Sequence, residues 1–217
     1  AKTAVLLLAD AGMGKTTLLQ KLFVDYARTY PTYDLAFLYS SENTIAKIKA
    51  IENKSNTILF LDALDEDAAA RQNLLQHLTD LSIVVKDFTK VFVTCRNQFF
   101  KYDSEEWQHL TNKINVYRVE LFAFTETEAR DYIDNLKIKL DQKQVARQIF
   151  NENTSFFTRP LLLSYLPELS EGRKYATTYQ FLSQIYEAII QAWGKREAAI
   201  VENGIVTQRN YTKKLIE

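Results

Sequence analysis

Cysteine is almost missing from this chain: Cys95 is the only one in 217 residues. A lone cysteine excludes an internal disulfide framework and favours a reducing compartment, so the expected location is cytoplasmic. Net charge is missing too. Lys+Arg and Asp+Glu stand at 27 each, which argues against a generic nucleic-acid or membrane-binding surface. No apolar run approaches the ~18 residues that a bilayer crossing needs. The Val5–Ala9 run is too short for the core of a signal peptide and lacks its flanking pattern. Internal repeats and low-complexity tracts are also lacking. A buried-strand pattern begins almost at Ala1-Lys2, so the chain is expected to be an internal piece of a longer polypeptide.

Bulky apolar material is plentiful. Hydrophobic residues make up 47% of the chain, with 13 Phe and 12 Tyr, enough to bury a sizeable core. Short aliphatic runs at Val5–Leu8, Leu35–Tyr39, Thr57–Leu61, Val91–Thr94 and Val116–Leu121 alternate with amphipathic stretches. That alternation predicts an α/β fold with a parallel five-stranded sheet sandwiched by helices. One helical stripe carries Leu18, Leu19, Leu22, Phe23 and Tyr26 and stops before Pro31; a second carries Leu74, Leu75, Leu78 and Leu81. Beyond Phe124 the strand patterns cease. Thr125-Glu126-Thr127-Glu128 reads as a capping box, and helical spacing follows at Ala129, Tyr132, Ile133 and Leu136. Asp141 suits the cap of a further helix, Pro160 the start of another, and Thr178 to Arg196 a longer one. The expected organisation is a nucleotide-binding domain over 1–124, a small all-α subdomain over 125–196 and the start of a further segment over 197–217.

The chemistry concentrates in three places. Ala9-Asp10-Ala11-Gly12-Met13-Gly14-Lys15-Thr16-Thr17 follows a strand and opens a helix, which is the context of a phosphate-binding loop (P-loop). Gly12 and Gly14 let the backbone wrap phosphate oxygens, with the intervening Ala11 and Met13 contributing N–H groups. Lys15 can span the β- and γ-phosphates, and the Thr16 hydroxyl can ligate magnesium. Alanine at position 9 replaces the usual first glycine, at the end of a strand where a small residue suffices. The second place is Asp62, at the end of the apolar strand Ile58–Leu61, where a carboxylate can meet the same magnesium. Asp65 and Glu66 follow, either of which can orient an attacking water; Asp65, Glu66 and Asp67 also suit the first turn of a following helix. The third is Thr94-Cys95-Arg96. If its strand lies between the first and the Thr57–Leu61 strands, Thr94 and Arg96 reach the γ-phosphate, and Arg96 reports its presence.

His77 and His109 show no metal-ligand spacing and read as helix-surface residues, and Cys95 as a small buried hydrophobe. Asn112-Lys113-Ile114-Asn115 lacks the aspartate of a guanine-reading motif and precedes an apolar run, so it reads as a turn and ATP is preferred.

Taken in order, the Gly-Lys-Thr-Thr loop with its Leu-Leu, "LFLDALDE", Thr94-Cys95-Arg96 and "FTRPLLLSYL" resemble the NACHT family of STAND-type P-loop ATPases, relatives of AAA+ proteins. "VELFAFTETEARDYI" is similar to that family's entry into its first helical subdomain. The resemblance covers about Val5 to Trp193 and implies a P-loop NTPase of the ASCE/AAA+ kind. It implies ATP/ADP and Mg2+ as cofactors, Asp62 for magnesium, Asp65 and Glu66 for hydrolysis, Arg96 as sensor and Pro160 against the adenine. Ala9 departs from the family pattern, and the Arg159 segment lacks the glycine of the related Gly-x-Pro motif. The resemblance further implies a slow, regulatory ATPase that self-associates when ATP-bound, with sensor and effector domains in flanking sequence. Members act in innate immunity or bacterial antiphage defence. An AAA+-like motor and a non-hydrolysing nucleotide-binding scaffold or transcription regulator are the alternatives.

Overall fold

The computed structural model describes residues 3–99 and 104–170, together with Ser183 and Glu187. The helix expected over Thr178 to Arg196 and the segment 197–217 lie outside the described residues, apart from those two positions. Two compact units divide the chain, Ala1–Ala123 and Phe124–Glu217.

In the first unit, strands β1 (Thr3–Ala9), β2 (Asp34–Tyr39), β3 (Thr57–Asp62), β4 (Lys90–Arg96) and β5 (Asn115–Glu120) form one sheet in the order β2-β3-β4-β1-β5. Every pairing is parallel. All six residues of β3 are buried, whereas the edge strands β2 and β5 are partly exposed. This is why the central strands read as continuous apolar runs: a parallel sheet covered on both faces has no wet side.

The two faces carry separate cores. Register aligns Phe37, Phe60, Phe92 and Val5 across four strands. Phe60 stacks on Phe92 at 5.0 Å between ring centroids and on Phe37 at 6.5 Å. Helix α1 (Lys15–Thr29) covers this row, with Phe23 and Tyr26 set edge-on against Phe60. Such aromatic pairs add about 0.5–1.5 kcal/mol beyond their buried area. On the opposite face Leu6, Leu8, Leu59, Leu61, Val91 and Val93 pack under Ile48 of α2 (Thr44–Lys49), Leu78, Leu81 and Val85 of α4 (Leu74–Val85), and Leu110 of α5 (Glu105–Lys113). Between β3 and α4 the chain makes a short turn and α3 (Ala68–Gln72). Asn112 and Lys113 end α5 and Asn115 begins β5, so that tetrapeptide is a helix-to-strand junction.

The second unit is helical among the described residues. Helix α6 (Glu126–Asn135) begins with the capping box: the Glu128 N–H donates to Thr125 Oγ1 at 3.2 Å and the Thr125 N–H donates to Glu128 Oε2 at 2.7 Å. These bonds hold the Glu128 carboxyl below its ordinary pKa, the backbone N–H of Thr125 contributing most and its hydroxyl next. Helix α7 (Leu140–Glu152) starts two residues earlier than expected: Lys139 is its cap and Asp141 sits inside the first turn, where a carboxylate still suits the helix dipole. Short helices α8 (Thr154–Phe157), α9 (Pro160–Leu163) and α10 (Leu166–Leu169) follow, Pro160 taking the first helical position of α9. Ala129, Ile133, Ile149, Phe150, Phe157 and Leu166 form the core, and Arg147 clamps Asp134 at 2.8 Å across α6 and α7.

Candidate nucleotide site

Register decides what meets at the carboxyl edge of the sheet. Ala9 pairs with Arg96 and Leu61 with Val93, so the ends of β1, β4 and β3 lie side by side, β4 in the middle. In an open parallel sheet this edge is where ligands bind.

The loop after β1 turns twice through left-handed backbone, at Gly12 (φ 78°) and Gly14 (φ 83°). A side chain would be strained at either. Ala9 does not adopt positive φ, which explains why alanine serves there. Gly14 caps α1 without a side-chain hydrogen bond, and the first turn, Lys15-Thr16-Thr17, carries no acid. A helix start without a capping side chain or an acidic first turn presents backbone N–H groups and the positive end of the helix dipole, the environment a phosphate fits. Lys15 Nζ is folded onto the loop itself, donating to the carbonyls of Ala9 at 2.8 Å and Asp10 at 3.0 Å. Burial, the largest influence, pushes the Lys15 ammonium pKa below its ordinary value, with Asp65 opposing.

Thr16 Oγ1 donates to Asp62 Oδ2 at 2.8 Å, bringing together the hydroxyl and carboxylate expected to share a magnesium ion. Thr94 differs from expectation. It is fully buried: its hydroxyl donates to Asp62 Oδ1 and accepts the Ala63 N–H at 2.8 Å. It faces β3 and fixes the carboxylate, rather than presenting itself to a phosphate. Ala63, with φ 59°, is the only non-glycine in left-handed backbone among the described residues. That bend redirects the chain into the turn Leu64–Glu66, which carries both acids.

The two acids differ in environment. Asp65 is buried and accepts the Arg96 N–H at 3.1 Å and its Nε at 2.9 Å, while Arg71 Nε donates to the Asp65 carbonyl at 2.7 Å. Glu66 is half-exposed, with Oε1 3.6 Å from an Arg96 terminal nitrogen. Asp67 caps α3 through the Ala69 N–H at 2.9 Å. His77 is not on the helix surface: it is buried on α4 with Nε2 3.7 Å from Asp67 Oδ2. The side chain of His109 lies outside the described residues. Cys95 is buried and free, its thiol held protonated by burial first and by Asp65 next.

Four sequence-predicted groups, the loop with Lys15 and Thr16, Asp62, the Asp65-Glu66 turn and Arg96, therefore converge within the first unit. Pro160 belongs to the second unit. Sequence reasoning missed Asn97, which donates through its N–H to the Ala9 carbonyl at 3.3 Å and through Nδ2 to Glu120 at 3.0 Å, tying the loop's root to β4 and β5. It missed Arg71 as well, whose bond to the Asp65 carbonyl six residues back depends on the local turn; for Asn97, strand order had to be known first. A cavity of about 340 Å³ lined by Thr3, Lys86, Lys113 and Asn115 lies at the opposite end of the strands and shares no residue with this site.

Among the described residues no cluster of three His, Cys, Asp or Glu could cage a metal unaided. A hydroxyl at the phosphate loop and one carboxylate at the end of β3 are nevertheless the donor set magnesium takes when phosphates supply the remaining oxygens. The residues present fit Mg-nucleotide.

Comparison with known proteins agrees at the level of family. No curated protein matches this chain. Solved structures that it is similar to include Saccharomyces cerevisiae RIF2 (13% identity, TM-score 0.45, covering 80% of this chain and 78% of that one). A point mutant of Thermotoga maritima RuvB gives 15% identity and TM-score 0.46, with 78% of this chain on 54% of that one. Domain III of Thermotoga maritima DnaA gives 14% and 0.44, with 86% on 82%. The chain thus spans about half the length of the RuvB chain, and at these scores the likenesses carry no functional weight. The model of the STAND family described as novel STAND NTPase 3 matches residues 1–137 of the 217. The chain belongs to that family of STAND nucleoside triphosphatases.

Proposed function

We propose that this chain is the Mg-dependent ATP-binding and slowly hydrolysing module of a larger signalling protein, and that its nucleotide state controls self-association. The observation that carries the reading is the hydrogen-bonded series Thr16–Asp62–Thr94, with the acid turn and Arg96 at its side on one sheet edge. Lys15 and the loop N–H groups hold the phosphates, and Thr16 and Asp62 hold magnesium. The ion, when bound, neutralises charge on the phosphate oxygens. Of the two acids, Glu66 is the better candidate to orient water, because Asp65 is buried and occupied by Arg96. Arg96 answers to the terminal phosphate, and Pro160 is assigned to the adenine by the family resemblance alone. Magnesium, ATP rather than GTP, the helical subdomain over 125–196, the cytoplasmic setting and a role in immune or antiphage defence belong to the same proposal.

The test uses the full-length protein. ATP turnover and molar mass by light scattering are measured with ADP, with ATP and in Glu66→Gln. The expected result is a monomer with ADP, a larger species with ATP that persists in Glu66→Gln, and turnover slowed by about 100-fold or more in that variant, the range for a positioned general base. Unchanged turnover in Glu66→Gln removes the catalytic role from this residue, and a molar mass indifferent to nucleotide removes the switch.

A further inference from the structure

We infer that Asp65 and Glu66 set the site's preference between nucleoside triphosphate and diphosphate, by competing with the terminal phosphate for Arg96. The inference rests on the nucleotide reading above. Arg96 stands at the end of β4 level with Ala9, the root of the phosphate loop, so its side chain is within reach of that loop. Its guanidinium is already engaged: Nε on Asp65 at 2.9 Å and a terminal nitrogen 3.6 Å from Glu66. The backbone N–H of Arg96 is also held by Asp65, which anchors the residue while leaving the outer guanidinium able to move. Lys15, a second cation at this edge, is likewise bonded to protein, on the Ala9 and Asp10 carbonyls.

Three anionic groups therefore contend for one guanidinium when a triphosphate enters: Asp65, Glu66 and the terminal phosphate. A diphosphate lacks the third and leaves the two ion pairs in place. A ligand shifts such an arrangement only by binding its two states differently, and the Arg96–Glu66 pair is a free-energy difference charged to triphosphate alone. Two pairs are unequal. Asp65 is buried and shares two bonds, so it holds the base of the side chain; Glu66 is half-exposed and singly paired, so it yields first. Release of Arg96 leaves the Glu66 carboxylate without its cation at the moment the triphosphate is bound, free to accept a proton from water. Return of Arg96 after the terminal phosphate has left re-pairs it. The same contact thereby sets nucleotide preference and confines the competent form of Glu66 to the triphosphate state.

A double-mutant cycle on equilibrium binding tests this without hydrolysis. Calorimetric titration of the full chain with Mg-ADP and with a β,γ-imido ATP analogue is run on wild type, Glu66→Gln, Arg96→Ala and the double variant. Glu66→Gln should tighten the analogue about two- to five-fold, the worth of a half-exposed ion pair, and leave ADP unchanged. In the Arg96→Ala background the same substitution should give no gain. A gain that persists undiminished without Arg96 overturns the proposal in favour of plain repulsion between carboxylate and phosphate, and no gain in either background overturns it outright. Arg96→Lys keeps the charge but loses the fork, and should shrink the gain; an undiminished gain there counts equally against the competition. Wild-type protein that binds neither nucleotide overturns the nucleotide reading itself and this proposal with it.

Discussion

Replacing Thr94 with valine isolates one hydroxyl. The substitution keeps the branched shape in a fully buried position and removes a group with two partners, Asp62 Oδ1 and the Ala63 N–H. The N–H belongs to a residue in left-handed backbone, so the turn that loses its anchor is already unfavourable for alanine. An orphaned N–H costs up to about 1–3 kcal/mol when buried, and less at the partly buried Ala63, while a lost bond to a charged group costs about 1.5–3 kcal/mol. The two losses share one site and relax together, so the expected destabilisation is roughly 2–4 kcal/mol rather than their sum. Urea unfolding measures it as a fall in midpoint at constant slope. Thr94→Ser keeps the hydroxyl and loses one methyl, and should cost only about 1 kcal/mol. Because Thr94 orients the carboxylate placed to meet magnesium, Thr94→Val should also raise the magnesium concentration needed for nucleotide binding, whereas Thr94→Ser should not. A Thr94→Val protein within 0.5 kcal/mol of wild type, with unaltered magnesium dependence, would refute the hydroxyl's part in holding Asp62.

Three further outcomes follow from the packing and charge. Phe60→Ala empties the centre of the aromatic row between Phe37 and Phe92 and should cost about 3–5 kcal/mol in the same unfolding assay, whereas Phe122→Ala, at a residue 75% exposed, should stay within about 0.5 kcal/mol. Thr125→Ala removes both hydroxyl contacts of the capping box and should cost about 1 kcal/mol. The Glu128 carboxyl titrates below its usual range, so its contribution is complete above the ordinary glutamate pKa and is lost as pH falls through its lowered folded value. A thermal-melt series from neutral to acid pH, compared with Glu128→Gln, reads that window; a flat difference between the two proteins would contradict it.

Much of the site was legible because the groups sit at fixed offsets from strand ends, and the strands are apolar runs with no competing pattern. Gly12, Gly14 and Lys15 mark the loop, and Asp62 ends a strand whose six residues are all buried. Strand order was not legible: nothing local says that β4 inserts between β1 and β3, and only that order brings Arg96 to Asp65. Thr94 was read as phosphate-facing on the condition that β4 takes this place, which it does; its hydroxyl instead braces Asp62 and the Ala63 N–H, contacts that strand order alone does not give. His77 was misread for a different reason. Leu74, Leu78 and Leu81 mark the buried face of α4, and His77 lies three and four residues from Leu74 and Leu81, so helical spacing alone places it inside. A polar type is discounted as core until a partner, here Asp67, is known. Helix α2 escaped notice because six residues are too few to show a period, and α3 was anticipated only through the acids that suit its first turn, Asp67 being its cap. Asp141 was taken for a cap because aspartate serves both cap and first turn, and only backbone angles separate the two.

The central claim is that this sheet edge binds Mg-nucleotide through the loop at Gly12–Thr16, and calorimetric titration of Mg-ATP into wild type and Lys15→Ala tests it most directly. Wild type should bind. Lys15→Ala loses a charge-assisted contact worth about 1.5–3 kcal/mol and should weaken binding by about 10- to 100-fold while remaining folded, since Lys15 otherwise bonds only to loop carbonyls. Equal affinity in the two proteins would contradict the account.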